Sequence, residues 1–166
     1  SKIYRACGYR VGWASFSGDR ENAAEFLHAV ELLASLRLCA NVPGQWAVQT
    51  ALGGFQSIHR LTEPGGRLYQ ARQAIIDGVA ASDFLDVTVP RGAMYAFPRV
   101  RRERFPDFDD QAFALELLNK KHVLIAPGSS FNVPYNDHFR LTTLPDERKM
   151  KTVFERMEEV LESMVR

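Results

Sequence analysis

The chain has 166 residues, enough for one hydrophobic core or for one domain with part of another. Hydrophobic residues make up 46% and charged residues 25%, the ordinary balance of a soluble globular protein. A net charge of +1 provides no general attraction to nucleic acid, and no apolar run is long enough to predict a membrane span. We therefore expect no nucleic-acid or membrane partner, and a cytoplasmic location.

The N-terminus and the cysteines give two further expectations. The chain begins with Ser1 rather than Met, and a dense pattern of Gly, Arg and aromatic residues follows at once. This start leads us to expect a fragment or processed piece of a longer protein. The first residues are not a signal peptide, because no apolar core follows them. Cys7 and Cys39 could pair, but without CxxC spacing we favour reduced, buried thiols.

The first third of the chain predicts one strand and two helices. Residues 8–16 alternate apolar and polar side chains with the period of a strand. Residues 20–38 are rich in helix formers and carry an apolar stripe. A second helix is predicted at 43–52, because proline suits a first helical turn and Gly53 and Gly54 end the pattern.

From residue 57 onward helices and strands alternate. A polar helix is predicted at 67–79, followed by strands at 85–89 and 93–97 that the short link 90–92 would join as a hairpin. Asp109 or Asp110 is expected to cap the next helix.

Three elements are predicted in the last third. Residues 123–126 are apolar on both faces, as in a buried central strand. Residues 139–143 alternate as another strand, and 150–164 repeat apolar residues at helical spacing.

The pattern as a whole predicts an α/β protein. Residues 57–166 contain the mixture that a small α/β sandwich domain requires. Residues 1–56 contain too few elements to close a sheet, and we interpret them as the tail of a larger domain whose first part is absent.

Lys2 and Arg10 are the first candidates for chemistry. A lysine can bond covalently to an aldehyde cofactor and then act as a base, and an arginine can bind the phosphate of the same cofactor. Eight extended residues would span roughly 26 Å, which is far longer than a small cofactor that both side chains would bind. The intervening chain must therefore turn back, and we expect Gly8 to make that turn. By spacing alone, two solvated charges would be the simpler interpretation.

The surrounding string supports the first interpretation. Residues 1–13 (SKIYRACGYRVGW) resemble the segment around the cofactor lysine of class I/II aminotransferases, which are pyridoxal 5'-phosphate-dependent enzymes. Residues 37–43 and 49–54 resemble stretches of bacterial alanine-type members. Residues 90–98 (PRGAMYAFP) and 127–131 (PGSSF) are similar to two further motifs of that family. The resemblance implies the C-terminal portion of the family's fold, with Lys2 as the catalytic, cofactor-binding lysine and Arg10 as a phosphate ligand.

Arg140 is the third candidate, since it interrupts the apolar residues of a predicted strand. An arginine can bind a carboxylate through two parallel hydrogen bonds. From the pattern alone, an exposed strand face would also explain it. The resemblance places the family's carboxylate-binding arginine in such a strand, and on that basis we assign Arg140 to the substrate carboxylate.

The resemblance implies a transaminase that moves an amino group between an L-amino acid, with alanine expected, and a 2-oxo acid, with 2-oxoglutarate expected. Family members are homodimers, and we expect this piece to be inactive alone. Two alternatives remain open: a carbon–sulfur β-lyase of the same family, and a non-catalytic module that senses an amino acid. The four histidines show no metal-binding spacing, so no metal is expected, and the arginines at 99–104 are interpreted as a solvated loop.

Overall fold

The computed structural model describes residues 1–165. They form two compact units, the first Ser1–His59 and the second from Arg60 onward. The first unit contains a short 3-10 helix (Cys7–Tyr9), α1 (Ala24–Ser35) and α2 (Val42–Gly53). A further short helix, α3 (Ile58–Thr62), follows α2 and was not predicted. No helix within the described residues is both long enough and apolar enough to cross a membrane.

Asn41 organises the beginning of α2. Its side-chain oxygen accepts a hydrogen bond from the backbone N–H of Gly44 at 2.8 Å, which satisfies one of the free donors of a helix N-terminus. Its amide nitrogen donates to the backbone carbonyl of Tyr9 at 3.0 Å. A side chain at Gly44 would meet Val11 at 2.1 Å, so the N-terminal segment packs directly on the helix here. The predicted helix at 43–52 is confirmed.

The strand predicted at 8–16 is wrong, because the chain there forms the 3-10 helix and then runs irregularly. A strand needs a neighbour to receive its backbone hydrogen bonds, and residues 1–59 contain no strand at all. The predicted buried thiols are also wrong: Cys7 and Cys39 are both free and exposed.

The apolar stripe of α1 is not buried within this unit. The helix is shorter than predicted, and none of its residues is buried. Phe26 is 61% exposed and Leu33 is 68% exposed. Periodicity identified the helix correctly, but the described part of the chain leaves its apolar side facing outward.

The second unit contains three long helices: α4 (Arg67–Ala81), α5 (Asp110–Lys121) and α6 (Glu147–Met164). Helices α4 and α6 pack so closely that a side chain at Gly78 would meet the Phe154 ring at 2.5 Å. All three helices were predicted, and α5 is capped by Asp109, whose side chain accepts from the N–H of Ala112 at 2.7 Å.

Five short strands complete this unit. Strand β1 (Leu85–Asp86) pairs antiparallel with β3 (Arg99–Val100). Strands β2 (Tyr95–Ala96), β5 (Phe139–Thr142) and β4 (Ala126–Pro127) form an antiparallel sheet with β5 at its centre.

Two strand predictions are therefore wrong. The link 90–92 does not close a hairpin, because β1 pairs with β3 and β2 pairs with β5. Residues 123–126 do not form a central strand: β4 is an edge strand, and Leu124 is 79% exposed. The strand predicted at 139–143 is confirmed as β5.

The core lies between the helices and the sheet, and the stripe predicted on α6 supplies much of it. Its largest fully buried side chains come from α4, α5, α6 and the strands: Phe113, Phe139, Ile75, Leu85, Leu117, Met150, Met157 and Leu161. Burying each of them contributes about 1.5–3 kcal/mol. This packing holds β5, and therefore Arg140, in place.

Candidate functional site

Lys2 and Arg10 lie in the first unit, on either side of the 3-10 helix Cys7–Tyr9. Both side chains are exposed, and Lys2 forms no hydrogen bond or ion pair with any residue from 1 to 165. The Arg10 Nη1 donates to the Cys7 carbonyl at 2.6 Å, which ties the guanidinium to the turn. Gly8 lies within this 3-10 turn, and the backbone is left-handed at Arg10 (φ 53°) rather than at Gly8.

A groove of about 500 Å³ opens beside this turn within the first unit. It lies between the N-terminal segment and α2, and its lining includes Tyr4, Tyr9 and Trp13. Lys2 and Arg10 do not line it.

Arg140 lies in the second unit on the central strand β5. Its guanidinium carbon lies 4.8 Å from the centre of the Tyr95 ring and 4.7 Å from the centre of the Phe131 ring. Its Nε is buried and has no hydrogen-bond partner within the described residues. A buried donor without a partner costs about 1–3 kcal/mol, or more if charged. The arrangement suits a ligand that brings an acceptor in the plane of the guanidinium, as a carboxylate does.

The aromatic contacts continue away from Arg140. Phe131 meets Phe97 edge to face at 5.9 Å, and the His138 ring stacks on Phe97 at 5.1 Å. The Nδ1 of His138 lies 2.7 Å from the buried carboxyl group of Asp137. These contacts connect the surroundings of Arg140 to a buried polar pair.

Asp137 carries a perturbed charge. Burial acts to raise its pKa, but the hydrogen bonds and charges of His138 and Arg102 together outweigh burial and lower the pKa below its usual value. Asp137 therefore remains ionised and anchors the loop of Arg102, whose Nε lies 3.2 Å from the carboxylate.

The arginines at 99–104 are more tightly held than a solvated loop would be. Arg99 and Arg101 both form ion pairs with Asp86, at 3.0 and 2.9 Å. Their hydrogen bonds lower the pKa of the Asp86 carboxyl group, and the bond from Arg101 has the larger effect. Arg104 lies over the Phe84 ring at 5.5 Å. These residues join strands β1 and β3.

Within residues 1–165 no group of three or more His, Cys, Asp or Glu side chains could hold a metal ion.

The sequence predicted Arg140 but assigned no role to the two rings that lie against it. Tyr95 and Phe131 both lie inside the motifs quoted for residues 90–98 and 127–131. Their place in those motifs was the available signal. That both rings lie against one arginine depends on the pairing of β2 with β5 and on the turn after β4.

Comparison with known sequences identifies aminotransferases as the relatives of this chain. The family profile described as "Aminotransferase class I and II" matches residues 1–157. The glutamate-pyruvate aminotransferase AlaA of Escherichia coli K12 is 46% identical over 145 residues, which are 87% of this chain and 36% of that protein. An alanine aminotransferase of Mycobacterium tuberculosis H37Rv is 43% identical over 157 residues, covering 95% of this chain and 37% of that protein. This chain thus spans about a third of the length of these curated relatives.

Solved structures agree. An aminotransferase from Escherichia coli matches with a TM-score of 0.89 and 40% identity, covering 99% of this chain and 41% of that one. An alanine aminotransferase from Pyrococcus furiosus matches with a TM-score of 0.81 and 31% identity, covering 98% of this chain and 40% of that one.

Proposed function

This chain belongs to the class I and II aminotransferases, which depend on pyridoxal phosphate, and we propose that its protein transfers an amino group between an L-amino acid and a 2-oxo acid. Alanine and 2-oxoglutarate are the proposed substrates, supported by the names of the E. coli and M. tuberculosis relatives. The unpartnered, buried Nε of Arg140 carries the proposal, because a substrate α-carboxylate supplies the missing acceptor.

The residues of the first unit fit the cofactor. Lys2 offers an amine that no other described residue engages, as covalent bonding to an aldehyde requires. Arg10 uses Nη1 for the Cys7 carbonyl, which leaves further donors for a phosphate. When bound, pyridoxal phosphate supplies an electron sink for the negative charge that develops on the substrate carbon.

Two residues of this chain carry the proposed chemistry. With the cofactor bound, the Nζ of Lys2 would act as the base that takes the α-proton of the amino acid and the acid that gives it back as the amino group is transferred. Arg140 binds the α-carboxylate through two parallel hydrogen bonds, which fixes the amino acid's orientation. Because donor and acceptor both carry an α-carboxylate, the same arginine serves both half-reactions.

Partners and location complete the proposal. We infer a homodimer, as the resemblance implies, and a cytoplasmic location, as the sparse cysteines lead us to expect. The isolated 166-residue chain should bind the cofactor poorly and turn nothing over.

The test uses the intact gene product. Arg140→Ala should raise KM for alanine and 2-oxoglutarate together by about 10–100-fold, the effect of losing a charged hydrogen-bonded pair, with cofactor content unchanged. Lys2→Ala should abolish transfer. Arg91→Ala, at an exposed arginine of the same unit as Arg140, is the matched control and should change neither the KM values nor the cofactor content.

Two results would contradict the proposal: transfer retained by Lys2→Ala, or unchanged KM values in Arg140→Ala. The products distinguish the related lyase, which would need no 2-oxo acid as co-substrate and would release pyruvate, ammonia and a thiol, namely hydrogen sulfide from cysteine or homocysteine from cystathionine.

A further inference from the structure

Asp110, the first residue of α5, is a buried acidic side chain of the second unit that contacts a loop distant in the sequence. It is 1% exposed, and its carboxyl group accepts two hydrogen bonds from one residue. The Ser129 N–H donates to Oδ2 at 2.6 Å, and the Ser129 hydroxyl donates to Oδ1 at 3.0 Å. Asp109, not Asp110, caps the helix. Asp110 is therefore directed at a loop rather than at its own helix.

The loop that it holds carries one of the rings on Arg140. Ser129 lies in the 3-10 helix Gly128–Phe131, and Phe131 lies 4.7 Å from the Arg140 guanidinium carbon. On the other side, the Gly128 N–H donates to the His138 carbonyl at 2.8 Å. Any side chain at Gly128 would meet that carbonyl oxygen at 2.6 Å. The turn is thus attached through Gly128 to His138, the residue before β5, and through Asp110 to α5.

Burial of a carboxyl group is costly unless hydrogen bonds compensate for the lost water. Asp110 receives that compensation from the N–H and the hydroxyl of Ser129. Loss of the carboxyl group would leave the partly buried Ser129 N–H without its acceptor and release one attachment of the turn. Because Phe131 lies two residues further on, its ring would lose its fixed place beside Arg140.

We propose that Asp110 is a positioning residue for substrate-carboxylate binding: it holds Ser129, the turn places Phe131, and Phe131 orients Arg140. This inference rests on the proposed function of Arg140. It assigns to the N-terminus of α5 a role in substrate affinity that is separate from helix capping.

The experiment compares two neighbouring aspartates in the intact, cofactor-loaded protein. Asp110→Ala should raise KM for alanine and 2-oxoglutarate, and the calorimetric Kd for pyruvate, by about 2–30-fold, the range of one lost cation–π contact. The kcat and the cofactor content should remain nearly unchanged. Asp109→Ala removes the cap of the same helix, so it should lower Tm and leave KM and Kd unchanged.

Two further variants separate positioning from general stability. Asp110→Asn can still accept from the Ser129 N–H and donate to its hydroxyl, so it should restore KM to within about twofold. Phe131→Leu should raise KM as Asp110→Ala does. The double variant should be little worse than either single one, because both changes remove the same contact.

The outcomes are distinguishable. Unchanged KM in Arg140→Ala would overturn the proposed function itself. If Arg140→Ala raises KM but Asp110→Ala does not, or if Asp109→Ala raises it equally, the positioning role is wrong. If Asp110→Ala does not fold, Ser129→Ala takes its place: it removes the hydroxyl and keeps the N–H bond. Its rise in KM should be about twofold and non-additive with Phe131→Leu, and fully additive effects would overturn the inference.

Discussion

In the second unit the guanidinium of Arg140 lies over the ring of Tyr95, with its central carbon 4.8 Å from the ring centre. Strand register explains the contact. Tyr95 pairs with Thr142, and Arg140 lies two residues from Thr142 on the same face of β5. Such diagonal neighbours are within reach of an aromatic and a long side chain. The ring covers part of the guanidinium and limits the directions from which a ligand can approach.

Tyr95→Leu should therefore weaken carboxylate binding. Loss of a cation–π contact of about 0.5–2 kcal/mol corresponds to a rise of about 2–30-fold in KM for both substrates. Tyr95→Phe keeps the ring and should behave almost like the parent protein. Steady-state kinetics with alanine and 2-oxoglutarate measure both variants. If the Phe variant is as impaired as the Leu variant, the hydroxyl and not the ring is responsible.

Gly78→Ala should destabilise the second unit. The added methyl group would meet the Phe154 ring at 2.5 Å, so α4 and α6 must separate, at a cost of about 1–3 kcal/mol. Gly53→Ala in α2 is the control, because nothing lies within 4 Å of the added methyl group. It should be neutral or slightly stabilising. Urea unfolding followed by circular dichroism measures both, and equal stability of the two variants would contradict the close packing.

Phe113→Ala should remove the centre of the core. Phe113 is fully buried and contacts Phe108 and Phe139 at ring-centre distances of 5.5 Å each. Truncation should lower the free energy of unfolding by about 3–5 kcal/mol. Leu115→Ala on the same helix, at a site 60% exposed, should change it by less than about 0.5 kcal/mol. The same denaturation experiment compares them, and a small loss for Phe113→Ala would show that the core does not depend on this ring.

Glu158→Gln should stabilise the protein at neutral pH. Burial raises the pKa of Glu158 above 4.5, and the hydrogen bond from Ser82 offsets only part of this. The folded state therefore holds its proton more tightly than the unfolded state, so stability falls as the pH rises from 4.5 through the folded pKa. Because Gln cannot ionise, the variant avoids this loss of stability and should be more stable than the parent at pH 7.

Denaturation at pH 7 and pH 4 measures this dependence on Glu158. The gain should shrink at pH 4, where both states of the parent are largely protonated. Glu155→Gln, at an exposed glutamate of the same helix, should show no such dependence on pH. A gain that is the same at both pH values would mean that charge burial at Glu158 is not the cause.

Local patterns in the sequence were sufficient for the helices of the second unit. The stripe of α6 was predicted, and Asp109 was one of the two residues expected to cap α5, because apolar spacing and capping chemistry depend on residues close together in the chain. The strings at 1–13, 90–98 and 127–131 were likewise sufficient to indicate the family, which the matching profile confirms. At the level of sequence, the roles of Lys2 and Arg140 follow only from that resemblance. The roles of those two residues stay proposals.

Pairing between distant segments could not be derived in the same way. The alternation at 8–16 is that of a strand, yet no strand neighbours it within residues 1–59, and the chain takes another form. The apolar run at 123–126 precedes an edge strand rather than a central one, because β5 occupies the centre of the sheet. A period of two describes a side-chain pattern and does not determine which strand receives the backbone hydrogen bonds.

The sequence by itself determined the helices of the second unit, the family and the three cationic residues worth testing. Only the tertiary structure decided that Tyr95 and Phe131 lie against Arg140, that its Nε is buried without a partner, and that Asp110 holds the Ser129 turn. Helix periodicity and motif spacing are local in the chain, whereas burial and partnership depend on contacts between β2, β5, α5 and the 3-10 turn. Those contacts form only when the core has packed.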